Sequence, residues 1–148
     1  MGNSKKQLAT AQKNISKKIG TLIRQSKFYQ TAAWGNTNQP DFLNQVIVVN
    51  STFSPEECIN KILSIEKDMG RIRTKKNAPR IIDIDILYFN KEVIDSKNLV
   101  VPHPALQDRR FVLIPLNEIS PGFIHPVLGK TNHQLLLNCR DTLNVKKI

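Results

Sequence analysis

The chain has 148 residues, enough for one domain with a single sizeable core, and its 40% hydrophobic and 23% charged residues are an ordinary balance for a soluble globular protein. No apolar run approaches the roughly 18 residues of a membrane span. Met1-Gly2-Asn3-Ser4-Lys5-Lys6 lacks the apolar stretch of a signal peptide, and the distant Cys58 and Cys139 argue against a disulfide framework, so a cytoplasmic location is expected. The net charge of +10 suits nucleic acid, an anionic membrane or a polyanionic small molecule, and does not choose among them.

No repeat, low-complexity stretch or Gly/Ser linker divides residues 1–148, so one domain is expected. Ser4 to Ile19 reads as an amphipathic helix. Leu8, Ala11, Ile15 and Ile19 recur at helical spacing, Lys5, Lys6, Lys13, Lys17 and Lys18 fall on the polar face, and Gly20 ends it. Leu22 to Thr31 reads as a strand anchored by Ile23 and Phe28. A polar loop with Gly35, Asn36, Asn38 and Pro40 leads to a second strand, Phe42 to Asn50. Ser54-Pro55-Glu56-Glu57 is a helix start: Ser54 can cap, Pro55 suits the first helical position, and Glu57 closes a capping box. Ile59, Ile62, Leu63 and Met69 are the expected buried stripe of that helix, with Gly70 as its stop.

A basic loop from Arg71 to Arg80 leads into Ile81 to Phe89, the most hydrophobic strand and the one expected at the centre of the sheet. A turn at Asn90-Lys91, a short strand around Val93, a Pro-rich segment with His103, and a stretch from Arg109 to Leu116 that begins polar and turns apolar follow. Thr131-x-x-Gln134 is a second capping box, opening a helix through Leu135 and Leu136. The order α-β-β-α-β, with additions, predicts an α+β fold, a mixed sheet with helices on one face.

Asp83-Ile84-Asp85 is the chemical focus. Side chains two apart on a strand share a face, about 6.5–7 Å apart at Cα. Two carboxylates in an apolar strand repel each other and lose solvation unless a cation lies between them, and hard oxygen ligands suit Mg²⁺. An exposed strand end, or pairing with basic residues, would equally accommodate a bare Asp-x-Asp. Arg71, Arg73, Lys75, Lys76 and Arg80 immediately precede the pair. Guanidinium groups fork onto phosphate oxygens while a carboxylate-held metal neutralises the same phosphates, the combination that phosphoryl transfer requires. No G-x-x-x-x-G-K-[ST], G-x-G-x-x-G or protein-kinase catalytic loop is present.

Asn77-Ala78-Pro79-Arg80-Ile81-Ile82-Asp83-Ile84-Asp85-Ile86-Leu87 closely resembles the signature of the 6-hydroxymethyl-7,8-dihydropterin pyrophosphokinase family of folate biosynthesis. The resemblance spans roughly residues 4 to 128. Phe28-Tyr29-Gln30-Thr31, Trp34-Gly35, Gln39 to Asn44, Glu66, Gly70 to Arg73, Val101-Pro102-His103-Pro104 and Arg109-Arg110-Phe111 follow in the family's order. It implies transfer of pyrophosphate from ATP to the pterin hydroxymethyl oxygen, with Asp83 and Asp85 holding two Mg²⁺ ions and Arg71 and Arg80 closing over the triphosphate. Glu66, Arg73, Ile86, His103 and Arg109 match nucleotide-side positions; for His103 a purely structural role is the competing reading. Phe42 and Phe111 match the aromatics that sandwich the pterin, and Asn44 and the backbone around Thr31 and Trp34 match groups on its edge.

The chain also departs from the family. Phe42 stands where many members have tyrosine, Asn77 where some have tryptophan, and Asn98, Val100 and Leu63 replace polar nucleotide-side residues. The family fold is a ferredoxin-like α/β plait whose first strand lies mid-sheet, and the resemblance implies that this strand is missing ahead of the first helix. Expected partners are small molecules, with no nucleic acid or membrane, and the expected state is a monomer. An inactive or truncated pterin- or nucleotide-binding relative is the alternative. An RNA-binding sheet would need an aromatic [KR]-G-[FY]-[GA]-[FY] strand, which is absent.

Overall fold

Helix α1 (Lys5–Lys18) follows the predicted stripe, burying Ala11 and Ile15, with Ile19 just beyond its end, and leaving its lysines in solvent. Gly20 ends it for a steric reason. A Cβ there would lie 2.2 Å from the carbonyl oxygen of Asn50, so only glycine allows the two backbones to approach this closely. The computed structural model describes residues 5–31, 42–70 and 82–148. The loop with Trp34 and Gly35 and the basic loop with Arg71, Arg73 and Arg80 lie outside the described residues.

Each of the first two expected strands is broken in the middle. Leu22 to Thr31 becomes β1 (Thr21–Gln25) and β2 (Tyr29–Thr31), and Phe42 to Asn50 becomes β3 (Phe42–Asn44) and β4 (Ile47–Asn50). β1 pairs antiparallel with β4, and β2 with β3. The breaks face each other. The Ser26 N–H donates to the Val46 carbonyl at 2.9 Å, but the Val46 N–H turns to the Ser26 hydroxyl at 3.0 Å, and the Gln45 amide donates to the Ser26 carbonyl at 2.9 Å. Side chains thus replace a ladder rung and let both strands bend. A register shift between Leu22 and Arg24 marks a bulge, which leaves the expected anchor Ile23 53% exposed.

Helix α2 (Pro55–Gly70) starts as expected. The Glu57 N–H donates to Ser54 Oγ at 3.2 Å, and the Ser54 N–H donates to Glu57 Oε1 at 2.9 Å. Its buried stripe is Cys58, Ile62 and Ile65, with Ile59 beside it; Leu63, expected inside, is 50% exposed. Cys58, Ile62 and Ile65 repeat at four and three residues, which places Leu63 about 100° off the stripe.

The expected central strand, Ile81 to Phe89, does not form as a strand: residues 82–88 have no ladder partner among the described residues. The alternation of the segment holds from Ile84 to Leu87 and reverses at Tyr88 and Phe89. Ile84, Ile86 and Phe89 pack against the α1–α2 cluster, while Leu87 and Tyr88 pack against a second cluster around Leu106, Leu113, Leu116 and Leu135. That second cluster belongs to α3 (Arg110–Ile119), α4 (Asn132–Asn138) and the turn before α3. Helices therefore lie on both sides of this segment and not on one face. Ile47 and Val49 of β4 meet the first cluster, and Val46, just before β4, meets the second.

After a turn in which Asn90 takes φ 54°, β5 (Ile94–Asp95), one residue beyond Val93, pairs with β6 (Val100–Val101). Thr131 and Gln134 form the second capping box, at 3.1 and 2.9 Å, and open α4. β7 (Val145–Lys147), which the sequence pattern does not announce, pairs with the free edge of β2. The ladders among the described residues are thus β1–β4, β3–β2–β7 and β5–β6, and no ladder joins β4 to residues 82–90. Between those two segments lies a cavity of about 480 Å³, walled also by Leu8 and Ile15 of α1 and Phe111 of α3.

Candidate active site

Asp83 and Asp85 are both exposed, while Ile82 is buried and Ile84 and Ile86 are partly buried. The pair therefore shares one side of the chain, as period-two spacing requires, with the isoleucines directed to the core. Desolvation does not by itself demand a cation here, because the carboxylates keep contact with water; this corrects the expectation of a buried pair. The carboxylates still stand together at the rim of the 480 Å³ cavity. Asp85 also lines a second cavity of about 200 Å³, whose walls include Ile86, Asn98, Val100 and His103.

Two interactions hold this segment in place. Glu66, near the end of α2, accepts the Ile84 N–H at Oε2, 2.6 Å away. The His103 N–H donates to the Leu87 carbonyl at 2.9 Å, which brings the Pro-rich segment alongside. His103 Nδ1 accepts the N–H of Ala105 at 3.1 Å. Accepting there assigns the proton of a neutral ring to Nε2, leaving that nitrogen as a donor.

On the opposite wall, Asn44 Nδ2 donates to Thr31 Oγ1 at 2.9 Å, and Thr31 is buried. Asn44 and Phe111 share the large cavity with Asp83 and Asp85. The Arg109 guanidinium lies 5.7 Å from the Phe111 ring centroid, a cation–π contact between two of the expected site residues. Phe42 is 41% exposed and is not among the walls of that cavity. Of the expected site residues, Trp34, Arg71, Arg73 and Arg80 lie outside the described residues. Of the others, Asn44, Asp83 and Phe111 line the larger cavity, His103 the smaller, Asp85 and Ile86 both, and Thr31, Phe42, Glu66 and Arg109 neither.

Some supporting residues carry no sequence signal. The Tyr88 hydroxyl donates to Asn132 Oδ1 at 2.7 Å, and Asn132, fully buried, donates to the Ser120 carbonyl at 2.8 Å. This fixes the far end of the Asp-bearing segment, and burial pushes the Tyr88 hydroxyl up to about 12. Glu118 accepts the Tyr29 hydroxyl at 2.6 Å, and burial together with that carboxylate raises Tyr29 to about 12. Each partner lies 44 or more residues away in sequence, beyond the reach of any local pattern.

The donor set fits Mg²⁺. Among the described residues no group of three or more His, Cys, Asp or Glu could hold a metal ion, so an all-protein cage is not formed there. Mg²⁺ usually takes one or two carboxylates and fills its octahedron with water and phosphate oxygens, which is what an exposed Asp pair offers. No helix among the described residues is long and apolar enough to cross a membrane.

The chain matches, over residues 1–121, the family described as 7,8-dihydro-6-hydroxymethylpterin-pyrophosphokinase. It is 47% identical over 105 residues to a 2-amino-4-hydroxy-6-hydroxymethyldihydropteridine pyrophosphokinase of Aquifex aeolicus, covering 71% of this chain and 66% of that one. A protein of the same name from Methylorubrum extorquens is 34% identical over 137 residues, 92% of this chain and 85% of the relative. A folic acid synthesis protein of Dictyostelium discoideum is 38% identical over 128 residues, 86% of this chain but only 20% of its own length. The chain thus spans 20% of the Dictyostelium relative's own length and 66% of the Aquifex relative's.

Proposed function

The chain belongs to the 7,8-dihydro-6-hydroxymethylpterin-pyrophosphokinase family, and from that premise we propose that it transfers the β,γ-pyrophosphoryl group of ATP to the hydroxymethyl oxygen of 6-hydroxymethyl-7,8-dihydropterin, a step of folate biosynthesis. The observation that carries the proposal is Asp85 standing in the shared wall of two cavities. One offers Asn44 and Phe111 for a flat acceptor, the other His103 for a nucleotide, Ile86 lines both, and the transferred group would lie between them.

In the proposed reaction the pterin hydroxymethyl oxygen forms a bond to the β-phosphorus, the bond from that phosphorus to the α,β-bridging oxygen breaks, and AMP leaves with that oxygen. The hydroxyl proton passes to solvent. Asp83 and Asp85 would hold two Mg²⁺ ions, which when bound neutralise phosphate oxygens and steady the attacked phosphorus. Asn44, its amide oriented by Thr31, hydrogen-bonds the pterin edge, the backbone near Trp34 adds to it, and Phe111 with Phe42 covers the ring faces. His103 donates from Nε2 toward the nucleotide. Glu66, Arg73 and Arg109 act on the same side, and Arg71 and Arg80 close over the triphosphate as a lid.

We extend the proposal to the fold and the state of the protein. Residues 1–148 act as one monomeric, cytoplasmic domain on small molecules, without nucleic acid or membrane partners. Its fold is a ferredoxin-like α/β plait, in which the family's first strand would lie between β4 and residues 82–90; the lack of a ladder joining those two segments among the described residues supports this.

Product analysis tests the activity. With MgATP and the hydroxymethyl dihydropterin together the protein is expected to form AMP, and with either substrate omitted none. ADP in place of AMP, or no nucleotide product from folded protein, would contradict the proposal and leave a pterin- or nucleotide-binding role.

A further inference from the structure

We infer that Glu66 is a positioning residue for the Asp83–Asp85 pair, acting through the Ile84 peptide; this rests on the pyrophosphokinase proposal for the use of the pair. Its carboxylate accepts the Ile84 N–H at 2.6 Å, a charge-assisted bond. That N–H belongs to the peptide joining Asp83 to Ile84, between the two carboxylates. Rotation about this peptide would swing the two aspartates relative to each other.

Elsewhere in a sheet, ladder hydrogen bonds on both sides would prevent such rotation. Residues 82–88 have no ladder partner among the described residues, so the Glu66 carboxylate takes the place of a neighbouring strand at this one rung. The tether is rigid at its other end. Ile62 is buried and Ile65, adjacent to Glu66, is fully buried in the α1–α2 core, which fixes the helix that presents the carboxylate. What the site takes from Glu66 is an acceptor at a fixed point, and a glutamine carbonyl can supply that without charge.

The test compares Glu66→Gln with Glu66→Ala by electron paramagnetic resonance of Mn²⁺ bound to the protein with α,β-methylene-ATP, alongside circular dichroism to verify folding. Glu66→Ala is expected to weaken Mn²⁺ binding by roughly 10–100-fold, the usual effect of removing a group that orients metal ligands. Glu66→Gln should stay within about fivefold of the parent, the difference between a charged and a neutral acceptor. Should the alanine variant fail to fold, Glu66→Met, equal in length and without an acceptor, replaces it and should show the same loss. Gln as damaging as Ala or Met would overturn the inference by showing that the charge itself is needed, and so would Ala or Met binding Mn²⁺ like the parent. If the parent forms no AMP, the pyrophosphokinase proposal fails, while the Mn²⁺ comparison still decides the role of Glu66.

Discussion

Asp83 and Asp85 occupy alternate positions on a segment whose isoleucines face the core, and both carboxylates remain in solvent. Because they are exposed, replacing either removes charge without opening a hole. Asp83→Ala and Asp85→Ala are therefore expected to abolish AMP formation with thermal midpoints within a few degrees of the parent; activity retained in both would refute the metal assignment. Gly20 is the contrasting case, with no place in the chemistry and no space to spare. Gly20→Ala would set a methyl group 2.2 Å from the Asn50 carbonyl oxygen, and it should cost about 1–3 kcal/mol in urea unfolding with the turnover of the remaining folded protein unchanged. The sequence pattern exposed the Asp pair, since two acidic residues interrupt an apolar run. It could not reveal their exposure, which depends on which side of the segment meets α1 and α2. Nor could it place the Ile84 tether, whose partner lies 18 residues back on a helix.

At the scale of elements, local chemistry was legible and long-range pairing was not. Both capping boxes form as the spacing required, because each is settled within four residues. The strands Leu22 to Thr31 and Phe42 to Asn50 were legible as β-forming but not as broken. The break needs Ser26 and Gln45 to meet across 19 residues. Ile81 to Phe89 carries the composition of a central strand, yet a strand exists only where a neighbour accepts its hydrogen bonds, and β4 stands across a cavity. The α2 box makes a pH prediction. The backbone N–H of Ser54, then its side chain, and the nearby Lys61 charge hold the Glu57 carboxyl below its ordinary value of 4.5, against a smaller opposing effect of burial. A group lowered on folding stabilises fully above its unfolded pKa and loses that contribution as pH falls through the folded one. Glu57→Gln should therefore show a flatter decline in stability below pH 4.5 than the parent in acid titrations followed by circular dichroism, and an unchanged acid limb would count against the box.

At the scale of the whole molecule, α1 and α2 pack on Ile47, Val49, Ile84, Ile86 and Phe89, α3 and α4 pack on Val46, Leu87 and Tyr88, and the 480 Å³ cavity lies between β4 and the Asp-bearing segment. The net charge of +10 was compatible with any polyanion and did not by itself point to a triphosphate. The account turns on which phosphorus is attacked, and ATP labelled at the β-phosphorus reports that directly. Incubated with the protein, Mg²⁺ and the hydroxymethyl dihydropterin, the label should appear in the pterin product, with unlabelled AMP released in equal amount. Label remaining in ADP, or in unconverted ATP beside folded protein, would contradict it.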